Sequence, residues 1–247
     1  MNQQLPLIGV LGGMGPMATI DFLTKVRTST PAVRDQDHLP LLVHCVPQIP
    51  DRSSAILHGD DGPYEPLLAG IRVLEQAGAA AIVIPCNTAH HWHSRLSRET
   101  RLPILHIAQA VAEMLGRTEH SAQRVGLMGT RGTRTAKLYD GIVGGHVSAL
   151  VLPSDAAQEA IDRAIAFVKS GEVDSATRAA AEAAALLVDE QGADRLLLAC
   201  TELPLALSTS AYGDRCIDAT LALAQACVAF SVAHASGGVP RLTALGR

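Results

Sequence analysis

A chain of 247 residues that is 48% hydrophobic and 18% charged can bury a large core and is too apolar to stay disordered. Aromatic residues at 3% give little surface for stacking bases, and a net charge of −4 leaves no basic footprint for a phosphate backbone, so nucleic acid is not an expected partner. Five cysteines, with no Cys-x-x-Cys pair, fit reduced thiols in a cytoplasm better than a disulfide framework. The start, Met1 to Pro6, has no cationic region and leads directly into a strand, so it is not read as a targeting peptide.

Leu7 to Leu11 reads as a first buried strand closed by the turn Gly12-Gly13-Met14-Gly15-Pro16, and Met17 to Ser29 carries apolar residues at helical spacing. Leu39 to Val46 is a second strand, followed by the proline-rich loop Pro47 to Ser53. Pro66 to Ala77 is predicted helical, with Gly78 as its stop. The apolar run Ala80 to Ile84 is of strand length and suits a strand covered on both faces of a parallel sheet. It ends at Pro85-Cys86-Asn87-Thr88-Ala89-His90; a helix from His90 to Thr100 and a short strand near Pro103 to Ile107 are expected next.

The order then repeats. Arg124 to Thr130 echoes Leu7 to Gly13, and a second run, Arg195 to Ala199, ends at Cys200-Thr201-Glu202-Leu203-Pro204. The offsets from Gly9 to Gly126 and from Cys86 to Cys200 agree within a few residues, which points to an internal duplication. Between these strands Ser154 to Lys169 and Ser175 to Asp189 read as helices. The apolar segment Ile217 to Ala235, interrupted by Asp218, Gln225 and His234, reads as a packed helix and not a membrane span. The fold class expected is α/β, with two pseudo-symmetric lobes, each a parallel sheet flanked by helices, and the active site in the cleft between them. One lobe is expected to comprise residues 1–102 with 212–247, and the other 103–211.

Ligands of parallel sheets sit beyond the carboxyl ends of the strands, which is where both cysteines fall. Buried cysteines are ordinarily small hydrophobes, and that reading suits Cys45, Cys216 and Cys227. Cys86 and Cys200 differ because Asn87, Thr88 and Thr201, groups able to bind an anion, flank them. Two thiols at equivalent places match a stereochemical inversion, in which a base takes a proton from one face of a carbon and an acid returns it from the other. An ordinary thiol, with pKa near 8.5, is mostly protonated at neutral pH, so one member must be held as thiolate. Helix N-termini after each cysteine are expected to favour that form.

The strings Gly12-Gly13-Met14-Gly15-Pro16-Met17-Ala18-Thr19, Pro50-Asp51-Arg52, Pro85 to His90 and Cys200 to Pro204 occur in one order, and the chain from about residue 7 to 210 resembles the aspartate racemase branch of the aspartate/glutamate racemase superfamily. The resemblance implies a cofactor-independent racemase, commonly dimeric, that works with two cysteines on a small acidic amino acid. It implies that Cys86 deprotonates the D-enantiomer and Cys200 the L-enantiomer, while Asn87, Thr88, Thr130 and Thr201 hold the α-carboxylate and ammonium. It also implies an arginine and a lysine for the side-chain carboxylate. Arg52 matches the first by motif, and Lys169, in Phe167-Val168-Lys169-Ser170-Gly171, is taken as the second. A dicarboxylate suits such a cationic fork on physical grounds as well.

The remaining motifs divide between plain and functional readings. Gly13-Met14-Gly15-Pro16-Met17-Ala18 fits the dinucleotide pattern G-x-G-x-x-A, yet no acidic residue ends the next strand to meet a ribose, so the turn, with Met14 at its centre, is read as a substrate-binding turn. Glu202 either tunes Cys200 or orients the ammonium group; a helix-start acid is the equally good structural reading. His90, His91 and His93 lack metal-ligand spacing. Gly12-Gly13, where glutamate racemases carry an aspartate–serine pair, points away from the glutamate branch. Open alternatives are a racemase of glutamate or of a broader range, a maleate isomerase or malonate decarboxylase reaction, and, outside enzymes, a dicarboxylate- or nucleotide-binding module.

Overall fold

The computed structural model describes residues 5–117, 123–207 and 210–237. Residues 1–4, part of the segment read above as lacking a targeting peptide, lie outside them. The chain builds two four-stranded parallel sheets. In the first, β1 (Ile8–Gly12) lies between β2 (Leu41–Cys45) and β3 (Ala81–Val83), with β4 (Ile104–Leu105) beyond β3. In the second, β5 (Arg124–Gly129) lies between β6 (Ala149–Val151) and β7 (Arg195–Ala199), with β8 (Cys216–Asp218) beyond β7. The orders β2-β1-β3-β4 and β6-β5-β7-β8 are the same. The repeat in the sequence is thus a repeat of topology, and Cys86 and Cys200 follow corresponding strands.

The helices, in chain order, are α1 (Pro16–Ser29), α2 (Arg52–His58), α3 (Tyr64–Gln76), α4 (His93–Leu96), α5 (Ile107–Gly116), α6 (Arg131–Thr135), α7 (Asp140–Val143), α8 (Asp155–Ser170), α9 (Val173–Ala185), α10 (Leu203–Leu207) and α11 (Ala219–Ala235). Among the described residues no helix is long and apolar enough to cross a membrane. The helix expected from His90 to Thr100 is shorter. A 3₁₀ turn over Thr88–Trp92 leads into α4, which ends at Leu96.

Strand alternation sorts the core into layers. Ile8, Val10, Ala81 and Val83 of the first sheet share one cluster with Val125, Leu127, Leu197 and Ala199 of the second, and with α1, α5 and α11 between them. The neighbouring positions face outward. Leu11, Ile82 and Ile84 pack under α3, while Leu196 and Leu198 pack under α8 and α9. Both faces of each sheet are therefore covered, which explains why β3 and β7 are continuous apolar runs. Each fully buried leucine or isoleucine in such a layer stabilises the fold by about 1.5–3 kcal/mol.

Two short strands lie across the boundaries anticipated for the lobes. Ile104–Leu105 pairs with β3 in the first sheet, although it follows residue 102. Cys216–Asp218 pairs with β7 in the second sheet, although it follows residue 211. The cause is that each connection crosses between sheets only after adding an edge strand, and the helix that follows, α5 or α11, fills the shared layer.

Close backbone approach fixes the mouth of the cleft at two glycines. Gly13 has φ +95°, and an added Cβ would lie 2.5 Å from Val46 N, so the turn after β1 tolerates no side chain there. At Gly132 an added Cβ would lie 2.6 Å from Ser53 Cα, and Gly132 N donates to Ser53 Oγ at 2.8 Å. This contact seats the start of α6 against α2 across the cleft.

Candidate active site

The carboxyl ends of β1, β3, β5 and β7 enclose a cavity of about 40 Å³. All ten residues singled out from the sequence lie on its wall: Cys86, Cys200, Met14, Arg52, Asn87, Thr88, Thr130, Lys169, Thr201 and Glu202. Asp51 and Ser53, which sequence reasoning did not select, complete it. The cavity adjoins a wider outer pocket of about 520 Å³, and both are bordered by Asp51, Arg52, Lys169 and Glu202. The outer pocket is otherwise lined by the glycine turn and the start of α1, with Pro47, Ile49 and Val168.

The two thiols have different surroundings. Both residues are nearly closed from solvent, Cys86 at 5% exposure and Cys200 at 7%, and both are free. Cys200 Sγ donates to Glu202 Oε2 at 3.0 Å, and Gly15 N donates to Glu202 Oε1 at 3.1 Å. The carboxylate thus ties the second cysteine to the glycine turn of the other lobe. Burial first, and then the Glu202 carboxylate, raise the Cys200 thiol well above its ordinary pKa; the backbone N–H of Glu202 and then the Lys169 ammonium oppose this. Thiolate favoured by helix N-termini at both cysteines was expected, and at Cys200 the balance is the reverse. The helix after it, α10, spans only Leu203–Leu207, and the neighbouring acid outweighs it.

Arg52 is held from one side. Asp51 accepts from Ser54 N at 2.7 Å and so caps α2, which turns the next side chain inward. Arg52 Nη1 donates to Ile49 O and Pro50 O, each at 3.0 Å, and Nη2 reaches Met14 O at 3.4 Å. Its Nε is buried with no partner. The Nε–Nη2 edge is the side of a guanidinium that meets a carboxylate with two parallel hydrogen bonds. Among the described residues, no ion pair involves Arg52 or Lys169. Lys169 is exposed near the end of α8, before Gly171 closes that helix with φ +83°.

Polar groups interlock across the cleft. Thr88 Oγ1 lies 3.0 Å from both Thr130 Oγ1 and Thr133 Oγ1, and Thr130 Oγ1 donates to Thr133 Oγ1 at 3.1 Å. Tyr139 Oη donates to Asn87 Oδ1. Thr133 and Tyr139 were not anticipated. The Thr130-x-x-Thr133 spacing, in which Thr130 Oγ1 accepts from Thr133 N at 3.1 Å as a helix cap, offered a local signal for the first. Tyr139 offered none.

Behind Cys86, His90 and His93 join His106, with ring centroids 4.5–5.9 Å apart. His90 Nδ1 meets Cys86 O at 2.9 Å, His93 Nε2 meets Ile104 O at 2.9 Å, and His106 Nδ1 accepts from Ala108 N at 3.2 Å. Burial pushes His90 down to about 4 and His106 down to about 2, with the neighbouring histidines adding to the effect. These neutral rings hold the backbone around the first cysteine. Among the described residues, no group of three or more His, Cys, Asp or Glu side chains is arranged to hold a metal ion.

Two duplicated parallel sheets, with a thiol at corresponding strand ends facing a polar cleft, define a two-lobed α/β isomerase of the racemase type. The chain belongs to the Asp/Glu/Hydantoin racemase family, whose model matches residues 11–227. It is 29% identical over 236 residues to the broad specificity amino-acid racemase RacX of Bacillus subtilis (strain 168), covering 93% of this chain and 100% of that protein. Among solved structures it resembles the aspartate racemase of Picrophilus torridus, with a TM-score of 0.78, 29% identity and 96% of each chain covered. An aspartate racemase homologue from Pyrococcus horikoshii OT3 has the same fold, with a TM-score of 0.66, 24% identity, and 94% of this chain and 100% of that chain covered.

Proposed function

We propose that this enzyme interconverts L- and D-aspartate without a cofactor, with Cys86 and Cys200 acting on opposite faces of Cα. The observation that carries the reading is the placement of both thiols on the wall of one cavity, at corresponding ends of β3 and β7. Cys86 as thiolate takes the α-proton of the D-enantiomer while the Cys200 thiol supplies a proton to the other face; the reverse reaction exchanges the roles. No pyridine ring accepts the electron pair, so charge forming on the α-carboxylate must be met by fixed donors. Asn87, Thr88, Thr130 and Thr201 are assigned to the α-carboxylate and ammonium, and the unpartnered Nε of Arg52, with Lys169, to the side-chain carboxylate. The reading includes a cytoplasmic setting, in which the thiols stay reduced, and a homodimer carried over from the family resemblance. Purified protein incubated with L-aspartate in deuterated water should give D-aspartate deuterated at Cα without added cofactor; retention of the α-hydrogen with no inversion would defeat the proposal.

A broader amino-acid range is the second reading. It is favoured by the outer pocket of about 520 Å³ beyond Arg52 and Lys169, which leaves room for longer side chains. Relative kcat/KM on aspartate, glutamate and uncharged amino acids separates the two.

Glu202 gives a pH prediction. Because its carboxylate raises the Cys200 thiol, Glu202→Gln should lower that pKa while keeping an acceptor for Gly15 N. With L-aspartate, where Cys200 is the base, the ascending limb of kcat/KM against pH should then move to lower pH. An unmoved limb would remove Glu202 from the control of Cys200.

A further inference from the structure

The amide of Asn87 carries more information than its place on the cavity wall. Tyr139 is 1% exposed and precedes α7 in the second lobe, whereas Asn87 follows β3 in the first. The phenol donates to Asn87 Oδ1, and Asn87 Nδ2 is buried with no hydrogen-bond partner. An unpaired buried donor is costly unless something binds it. Tyr139 stays a donor: burial, with Asp218 and Cys200 nearby, pushes its pKa up, so the neutral hydroxyl persists throughout the working pH range. A phenol O–H turned to the amide oxygen leaves the amide N–H₂ for a ligand. The flipped amide would present its carbonyl oxygen there and repel a carboxylate, while also depriving the phenol proton of an acceptor. Only the observed orientation satisfies both groups once an anion is bound.

We infer that Tyr139 is a positioning residue for racemisation: its hydroxyl, reaching across the cleft, fixes the Asn87 amide with Nδ2 available to the substrate carboxylate. The inference rests on the proposed racemase reading. It also gives the inter-lobe contact a role, because the donor on the first lobe is set only when the second lobe is docked on it. The Thr88–Thr130–Thr133 hydroxyl ring spans the same gap and sets the neighbouring donors in the same way.

The test is a double-mutant cycle on the full chain with Tyr139→Phe and Asn87→Ala, read as kcat/KM in both directions and as thermal midpoint. Tyr139→Phe keeps the ring and should lower kcat/KM about tenfold, the scale of one hydrogen bond to a charged partner. In the Asn87→Ala background the same substitution should cost nothing further, because there is no amide left to orient. A Tyr139→Phe penalty that persists undiminished without the amide would mark a structural role and overturn the inference, as would full activity in the single variant. If Tyr139→Phe fails to fold, Asn87→Asp supplies the second reading. It retains an acceptor for the phenol but turns a carboxylate toward the substrate, and should lower kcat/KM more than Asn87→Ala; equal losses would overturn the inference. A wild-type enzyme that inverts no amino acid would instead sink the racemase reading, and this inference with it.

Discussion

Replacing Cys86 with alanine is expected to stop inversion while leaving half of the chemistry intact. Racemisation in both directions should fall by roughly 10³-fold, the range over which a positioned acid or base contributes. The surviving Cys200 can still take the α-proton from the L-enantiomer and return a solvent-derived one to the same face. Cys86→Ala should therefore exchange the α-hydrogen of L-aspartate in deuterated water far faster than it forms D-aspartate. Cys200→Ala should do the converse with the D-enantiomer. Mass spectrometry of the amino acid, with chiral separation, reads both quantities from one reaction. The two variants should not be equally efficient in exchange. Glu202 holds the Cys200 proton, so Cys86→Ala, which relies on Cys200 as the base, should exchange only at higher pH. Undiminished inversion in either variant would show that the two-thiol mechanism is wrong, whatever the family.

The parts of this site that were legible in the sequence are those built by local runs. The apolar strands β3 and β7 announced themselves because both faces are covered, and the cysteines were placed by where those runs stop. The glycine turn was legible because Gly13 requires a positive φ and an open Cβ position. What escaped was set by contacts distant in sequence. Tyr139 meets Asn87 across 52 positions, Thr133 meets Thr88 across 45, and Gly132 meets Ser53 across 79. No window along the chain contains both partners of any of these pairs. The edge strands were obscured for a different reason. Ala149–Val151 is only three residues long and half-buried, so it has neither the length nor the continuous burial that marks the central strands. Cys216–Asp218 was absorbed into the apolar run read as a helix from Ile217. The helix begins at Ala219 because Asp218 caps it, accepting from Thr220 N at 2.8 Å and Leu221 N at 3.0 Å. Arg52 shows a different case: within the string Pro50-Asp51-Arg52, Asp51 caps α2, so a helix starts at Arg52 where the expected proline-rich loop was still to run on to Ser53.

The histidine cluster behind Cys86 should make the fold sensitive to mild acid. In the unfolded chain His90, His93 and His106 titrate near 6.5. In the folded chain His90 is held at about 4, His106 at about 2, and His93 is also lowered, chiefly by desolvation. Below the unfolded value the unfolded chain therefore binds more protons than the folded one, so stability is complete above about pH 6.5 and falls as pH drops. Each of the two most buried rings then costs about 2 kcal/mol by pH 5, a substantial share of a typical stability of about 5–15 kcal/mol. Denaturant titrations at pH 7.5, 6 and 5 should show this slope. His106→Asn isolates one contribution, because asparagine can still accept from Ala108 N and cap α5 but carries no proton to gain. Its stability should depend on pH less steeply by close to one proton, whatever it loses at pH 7.5 through the altered packing. Parallel slopes in wild type and variant would mean that His106 is already accessible to protons in the folded chain. Because His90 Nδ1 holds Cys86 O, protonation of this cluster bears on the backbone that presents the first thiol.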